Sequence, residues 1–487
     1  MFQGTTTRAG TERALVPLLV IATAQLMLVL DDSIVNIALP SIQRELGVDP
    51  VHLPWIVNAY ILAFGALLLL GGRVGDLWGR RGTLQVGLGL FVLGSLAGGL
   101  GQNAEMLIAA RAAQGVGAAL TAPNALALIS TTFSERKTRD SALALYGAMS
   151  GLGIVVGLLL GGVLTDILGW RWVFFINVPI GLLVLLGSRT LLPAAPHRGQ
   201  LGVLGGTLGT GGMVALVYAV TRFGEHGFTD PLALTLLAAA AVLLTAFVAT
   251  QARSRHPLLP LSLVRDRNRG GAYLTMLLLA IGPMGTFYVI TLHLQQVQGF
   301  TPLQTGAAWL PFAIGIVLGA GTAPKLLLLV GPRYVAAMGA LLSAGAALWF
   351  SAISVDTSYW THLAPAMLVL ALGFGFGVMA LTQAAVYHVD PDKAGVASAL
   401  LNSAQQIGVA LGLAVLAGVA ATVTAQPENA AADPTTGLVA GYSTALTVAT
   451  GLLLAAAALG LATLRSRPAD IEEPQLAGTS TLGTARR

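Results

Sequence analysis

Apolar runs of about twenty residues alternate with short polar or basic stretches along most of the chain. Each run is long enough to cross a hydrocarbon layer of about 30 Å as a helix. Fourteen runs fit this description. Six start near residues 14, 52, 82, 105, 141 and 171, two cover 202–221 and 231–250, and six more start near 271, 303, 333, 361, 395 and 437. The pattern predicts an all-α membrane protein with a polar N-terminus (1–13), a six-helix bundle (14–192) and a linker holding two extra transmembrane helices (193–252). A basic, amphipathic interfacial segment (253–269), a second six-helix bundle (270–464) and a disordered polar tail (465–487) follow.

Composition agrees. The chain has 487 residues, 55% of them hydrophobic and only 10% charged, with a mean hydropathy of +0.78. A typical soluble domain is about 25% charged. Cysteine is absent, which excludes disulfides and thiolate metal sites, and the seven histidines lack ligand-like spacing. The pI near 9.7 does not point to nucleic acid, because the cations sit in loops. Of the 26 Lys and Arg, twenty-two fall on one side of the fourteen-span topology. Arg44, Arg171 and Arg222 fall on the other, and Arg111 lies inside a span. The positive-inside rule then places both termini in the cytoplasm and the first apolar run as a retained helix. Two stretches, from Trp55 and from Trp309, repeat a span, a basic turn and a span, with Arg80 and Arg333 in similar places. Repeated halves are a common transporter construction.

Five stretches carry a family resemblance: "LDDSIVNIALP", "GGRVGDLWGRR", "RAAQGVGAA", "GLGIVVGLLLGG" and "WRWVFFINVPIG", in that order, with "AGVASALLNSAQQIGVALG" later. Together they resemble the major facilitator superfamily, in its branch of fourteen-helix drug:proton antiporters of the EmrB/QacA type. The resemblance implies the major facilitator fold, two six-helix bundles plus a two-helix insertion. It also implies alternating access driven by the proton-motive force with no other cofactor.

Read residue by residue, Gly72, Gly75 and Gly79 allow a tight turn, and Asp76 can pair with Arg80 or Arg81. The functional expectation is a latch between the halves; the plain alternative is a basic loop that fixes topology. Arg111, a charge within a span, either faces a cavity or snorkels outward beside Glu105. The family motif assigns it to proton coupling. Gly153, Gly157 and Gly161 make a groove for a facing helix. The family's usual Gly-Pro is Gly157-Leu158 here, so its kink is weakened or lost. "WRW" at 170–172 reads as an interfacial anchor.

Asp31 and Asp32 interrupt the first span. Periodicity puts Gln25, Asp32 and Asn36 on one stripe, which selects Asp32 as the cavity-facing acid. The resemblance selects Asp31, five positions before Asn36. Asp31 is assigned the proton and Asp32 the substrate's charge or a supporting role. The alternative is that both are hydrated at the rim, with Pro40 ending the helix two turns on. Burial works against a carboxylate anion while Arg111 supports it, so a balanced site can take a proton on one side and release it on the other. Gln25, Asn36, Gln114, His293, Gln296, Gln383, Asn402, Gln405 and Gln406 either line a substrate cavity or join helices. With no acid mid-span in the second half, coupling carboxylates are expected only on the first helix.

The expected protein is a proton-coupled exporter of amphiphilic, cationic drugs or antibiotics, monomeric, in the bacterial cytoplasmic membrane. Its partners are substrate, protons and lipid, without nucleic acid. An importer or facilitator of the same fold is the alternative. An intramembrane enzyme would need a convergent His/Asp or Ser/Lys set, which the sequence does not offer, and a receptor would not need repeated halves.

Overall fold

The computed structural model describes residues 6–49, 52–133, 136–192, 202–227, 229–254, 257–389, 391–430 and 433–464. The tail 465–487, expected to be disordered, lies outside them, as do residues 1–5 and 193–201. The described residues form helices joined by short turns: α1 (Thr6–Leu46), α2 (Trp55–Trp78), α3 (Arg80–Gly99), α4 (Ala104–Thr132), α5 (Arg136–Ile167) and α6 (Trp172–Thr190). The insertion is α7 (Val203–His226) and α8 (Pro231–Arg253). Then come α9 (Arg267–Val297), a long helical segment Pro302–Ser351, α12 (Tyr359–Val386), α13 (Pro391–Thr424) and α14 (Pro434–Thr463).

Among the described residues, thirteen segments are long and apolar enough to cross a membrane, one fewer than the sequence pattern counts. The difference lies in Pro302–Ser351, where Gly331 has φ 80° and ψ 164°, a conformation open essentially to glycine alone. At 1.5 Å per residue, a straight helix would hold Gly319 and Gly339 about 30 Å apart. Both instead pack on α12: a Cβ on Gly319 would lie 2.8 Å from the Leu372 carbonyl, and one on Gly339 2.6 Å from the Gly377 nitrogen. The chain therefore folds back at Gly331, giving α10 (302–330) and α11 (332–351). Counted this way, the described residues hold fourteen candidate crossings.

The internal repeat reappears in this packing. α2 and α3 also turn at a positive-φ residue, Gly79 (φ 96°), and both lie on α4. Gly115 faces Tyr60 of α2, and Gly87 faces the Gly117 carbonyl of α4. In each half, a hairpin pivoting on glycine embraces the following helix at near-backbone contact.

Local signals fix the helix ends. The Asn103 side chain accepts from Met106 N at 2.8 Å to start α4, and Asp230 does the same for Ala233 at 2.8 Å to start α8. Two sequence expectations, on Pro40 and Trp170, are corrected. Pro40 does not end α1, which continues to Leu46; a proline removes one donor, and the following turn survives with Arg44 Nε donating to the Pro40 carbonyl at 3.3 Å. Within the stretch 253–269, a single helical turn, Leu261–Arg265, with Leu263 buried, precedes α9, which Asp266 caps from Arg267 onward. Trp170 is no interfacial anchor. It is 1% exposed, and its indole donates to Glu45 at 2.8 Å, because Glu45 and the adjacent Arg171 form an ion pair over it. Trp172, 45% exposed, does face outward.

The insertion helix α7 lies against α2, with Trp55 and Tyr218 edge to face at 5.5 Å, and also against α13. The two bundles meet at the end holding Arg44 and Arg171, away from Arg73, Arg80 and Arg81. There a Cβ on Gly162 would lie 2.8 Å from the Pro302 carbonyl, and Gly306 abuts the Leu158 carbonyl. Gln295 Nε2 donates to the Ile37 carbonyl at 3.1 Å, and Gln296 Nε2 to Gln43 Oε1 at 3.0 Å. At mid-depth Gln406 covers Gly65. Nearer the arginine-rich end, Gly147, Gly151 and Gly395 face open space, with no heavy atom within 4 Å of a Cβ position. The conformation is closed at the arginine-poor end.

Candidate functional site

The glycine groove of α5 receives α1. A Cβ on Gly153 would lie 2.9 Å from Val29 Cβ, one on Gly157 3.0 Å from the Leu30 carbonyl, and one on Gly161 3.0 Å from the Ile34 carbonyl. Any side chain there would push α1 away. Leu158, in the position of the motif proline, is fully buried, and α5 runs through it as one helix. Docked this way, α1 turns Asp31 into the first bundle.

Asp31 is 0% exposed. Its Oδ2 accepts from Arg111 Nη1 at 2.5 Å, and its Oδ1 from Gln114 Nε2 at 3.0 Å and Asn177 Nδ2 at 2.7 Å. Arg111, also 0% exposed, donates through Nε to the Ile56 carbonyl at 3.0 Å and through Nη1 to Gln114 Oε1 at 3.1 Å. Its guanidinium lies 4.3 Å from the centre of the Tyr60 ring, a cation–π contact. Gln114 Nε2 also reaches Ser95 Oγ at 2.8 Å. Five helices, α1, α2, α3, α4 and α6, thus converge on one ion pair. A buried pair persists only when its remaining donors and lone pairs are engaged, and this one is engaged almost throughout; Arg111 Nη2 alone has no partner. Total burial excludes an arginine snorkelling beside Glu105 and an Asp31 hydrated at a rim.

Asp32 differs. It is half-buried, and its Oδ1 is shielded from solvent without a hydrogen-bond partner. Asn36, one turn on, donates to the Asp32 backbone carbonyl at 2.8 Å, and its own Oδ1 is likewise buried and unused. Two acceptors on one helix stripe therefore await a donor. Gln25, on the same stripe, is also half-buried.

Several expected cavity residues take other places. Gln114 spends its amide inside the Asp31–Arg111 network. Gln296 is exposed; it bridges α1 and α14, accepting from the Tyr442 hydroxyl at 3.0 Å. His293 is 0% exposed. On α13, Asn402 is exposed while Gln405 and Gln406 are half-buried; Gln383 Oε1, on α12, is buried without a partner.

The basic loop joins helices of the first bundle rather than the two halves in this conformation. Arg80 Nη2 pairs with Asp76 at 3.1 Å, Arg80 Nη1 donates to the Ala127 carbonyl of α4 at 3.4 Å, and Arg81 Nη1 to the Leu191 carbonyl at 3.3 Å. Gly75 is where Asn124 presses on α2, and Gly72 faces Pro123 at 3.6 Å. With the arginine-poor end closed, the loop's reach to the other bundle is not made by these arginines. Sequence reasoning did not single out Asn177, Ser95 or Tyr60. Asn177 lies in the "FFINVPIG" stretch and Ser95 is a lone hydroxyl in an apolar span, and those were their only signals.

Two repeated helical bundles, the first built around a buried intramembrane ion pair, define a multi-pass membrane protein with the build of a secondary transporter. The Major Facilitator Superfamily model matches residues 21–413, and the chain belongs to that family. It is 44% identical over 467 residues to the puromycin resistance protein pur8 of Streptomyces alboniger, covering 94% of this chain and 92% of that one. It is 38% identical to the cephamycin export protein CmcT of Amycolatopsis lactamdurans, covering 83% and 85%. Among solved structures, the POT family transporter PepTSo shares the fold with a TM-score of 0.69 at 14% identity, covering 92% of this chain and 97% of that one.

Proposed function

We propose that the protein exports small amphiphilic antibiotics or drugs, preferentially cationic ones, in exchange for protons by alternating access. Relatives named for puromycin resistance and cephamycin export support the substrate class. The observation that carries the mechanism is the contrast between neighbours. Asp31 is neutralised by Arg111, whereas Asp32 presents a buried oxygen with nothing donating to it. A second carboxylate beside an already balanced pair needs either a proton or a cationic ligand, and the two compete for it. Competition for one group is what exchange requires. One charge crossing 100 mV releases about 2.3 kcal/mol. Asp31 and Arg111 then hold the site's charge and geometry, a division of labour that reverses the assignment drawn from the resemblance.

The excess of loop cations at one end supports a reading in which that end and both termini lie in the bacterial cytoplasm. The conformation closed at the other end is the one that loads substrate from the cytoplasm. The protein works as a monomer, with the proton-motive force as its only energy source.

The test is puromycin movement in proteoliposomes that start with equal puromycin on both sides, under an imposed pH gradient with acid on the arginine-poor side, alongside a downhill control without the pH gradient. The parent moves puromycin against its gradient; Asp32→Asn retains downhill movement only, and Asp31→Asn loses both. Variants that concentrate puromycin as well as the parent would defeat the proposal, and accumulation in the opposite direction would establish an importer.

A further inference from the structure

We propose that His293 is a second proton-binding site, lodged in the second bundle, and that its protonation releases the seal at the arginine-poor end. His293 is 0% exposed, and neither of its ring nitrogens has a hydrogen-bond partner. A neutral imidazole offers one donor and one acceptor, and leaving such groups unmade in a dry site is costly. The Asp31 network makes no use of this residue.

Its position gives it leverage. His293 opens a π-helical turn, His293–Val297, in which Gln298 N donates to the His293 carbonyl at 3.0 Å. Such turns are rare and concentrate at functional sites. The same turn carries the two amides that clasp α1 of the other bundle, Gln295 on the Ile37 carbonyl and Gln296 on Gln43. Tyr442 of α14 lies edge-on to the imidazole at 6.5 Å, and its hydroxyl donates to Gln296 Oε1 at 3.0 Å. Imidazole, phenol and amide thus form one linked set across the seal.

The other titratable group facing His293 is His362 at the start of α12, whose Nε2 is also buried without a partner. From α1, the groups that meet the turn are an uncharged carbonyl and an uncharged amide. No acid among these neighbours compensates an imidazolium. The closed conformation therefore accommodates neutral His293 only, and opening hydrates the ring and lets it charge. The sign follows from linkage: acid on the arginine-poor side favours opening, by up to about tenfold per pH unit while only the open form binds the proton. This rests on the proposed export reading in one respect, namely that protons arrive from that side.

The experiment is hydrogen–deuterium exchange across 293–300 in the intact protein in lipid nanodiscs, corrected for intrinsic exchange, between about pH 7.5 and 5.5, which spans an ordinary imidazole. In the parent, exchange in this segment rises several-fold on acidification; a flat response overturns the proposal without recourse to any variant. His293→Gln and His293→Asn flatten the response, while His362→Gln keeps it. Variants of His293 that still open with acid, or a response lost only with His362, would overturn it. The readout needs no substrate, so failure of coupled efflux in the Asp31 and Asp32 variants is distinguishable from failure here.

Discussion

The two bundles are built on one packing scheme and filled with different chemistry. In the first, the cradle of α2, α3 and α4 holds Arg111, Gln114 and Ser95 around Asp31, all fully buried. In the second, the start of α10 carries Trp309, tilted against Phe287 with ring centres 4.2 Å apart and edge-on to Phe312 at 5.5 Å, with one hydrogen bond from its indole to Thr291 Oγ1 at 3.1 Å. The first bundle keeps charge in a dry place at considerable cost; around Trp309 the second uses uncharged aromatic volume instead. The same glycine-mediated packing thus holds with a buried ion pair in one half and with uncharged aromatic side chains in the other.

The comparison breaks most visibly at Arg111. Arg111→Leu strands the Asp31 carboxylate and lowers stability by about 3–5 kcal/mol, read as a large fall in thermal stability in detergent together with loss of efflux. Adding Asp31→Asn recovers most of the stability while efflux stays absent. A full recovery of efflux in the double variant would show the pair to be structural only. Next in size is the α1–α5 groove. Gly157→Val forces α1 outward and costs about 1–3 kcal/mol, whereas Gly147→Val, in open space, leaves thermal stability unchanged. Equal effects at the two positions would remove the case that the groove positions Asp31.

In the second bundle, Trp309→Phe keeps the aromatic volume and loses the Thr291 hydrogen bond, a cost of about 1 kcal/mol. Thermal stability drops slightly, and the ratio of protons to substrate in the transport assay is preserved. A changed ratio would bring Trp309 into the coupling step. The smallest effect is expected at Asp76→Asn. Its pair with Arg80 is 36% and 26% exposed, so stability changes by less than about 1 kcal/mol, while transport slows if the loop also serves the opposite conformation.

The span pattern and the α5 glycine stripe are local properties, and both could be read along the chain. The turn at Gly331 is also legible, because Pro332 and Arg333 interrupt the apolar run where the backbone leaves helical geometry. The side chains that close around Asp31 were harder to read. Asn177 reaches it from 146 positions away and Ser95 acts through Gln114, and helix periodicity assigns a face without naming what the face meets. Trp170 was misread for the same reason, since its partner Glu45 lies on a distant helix. The two aspartates show both limits together. Periodicity separates Asp31 from Asp32 by about a quarter turn, and only the packed bundle shows which flank meets Arg111.

The most direct measurement is proton release on substrate binding, followed with a pH indicator in weakly buffered detergent solution near neutral pH. The account requires puromycin to expel protons from the parent and from His293→Gln, and to expel none from Asp32→Asn. Undiminished release from Asp32→Asn would contradict it, because the exchangeable acid would then lie elsewhere.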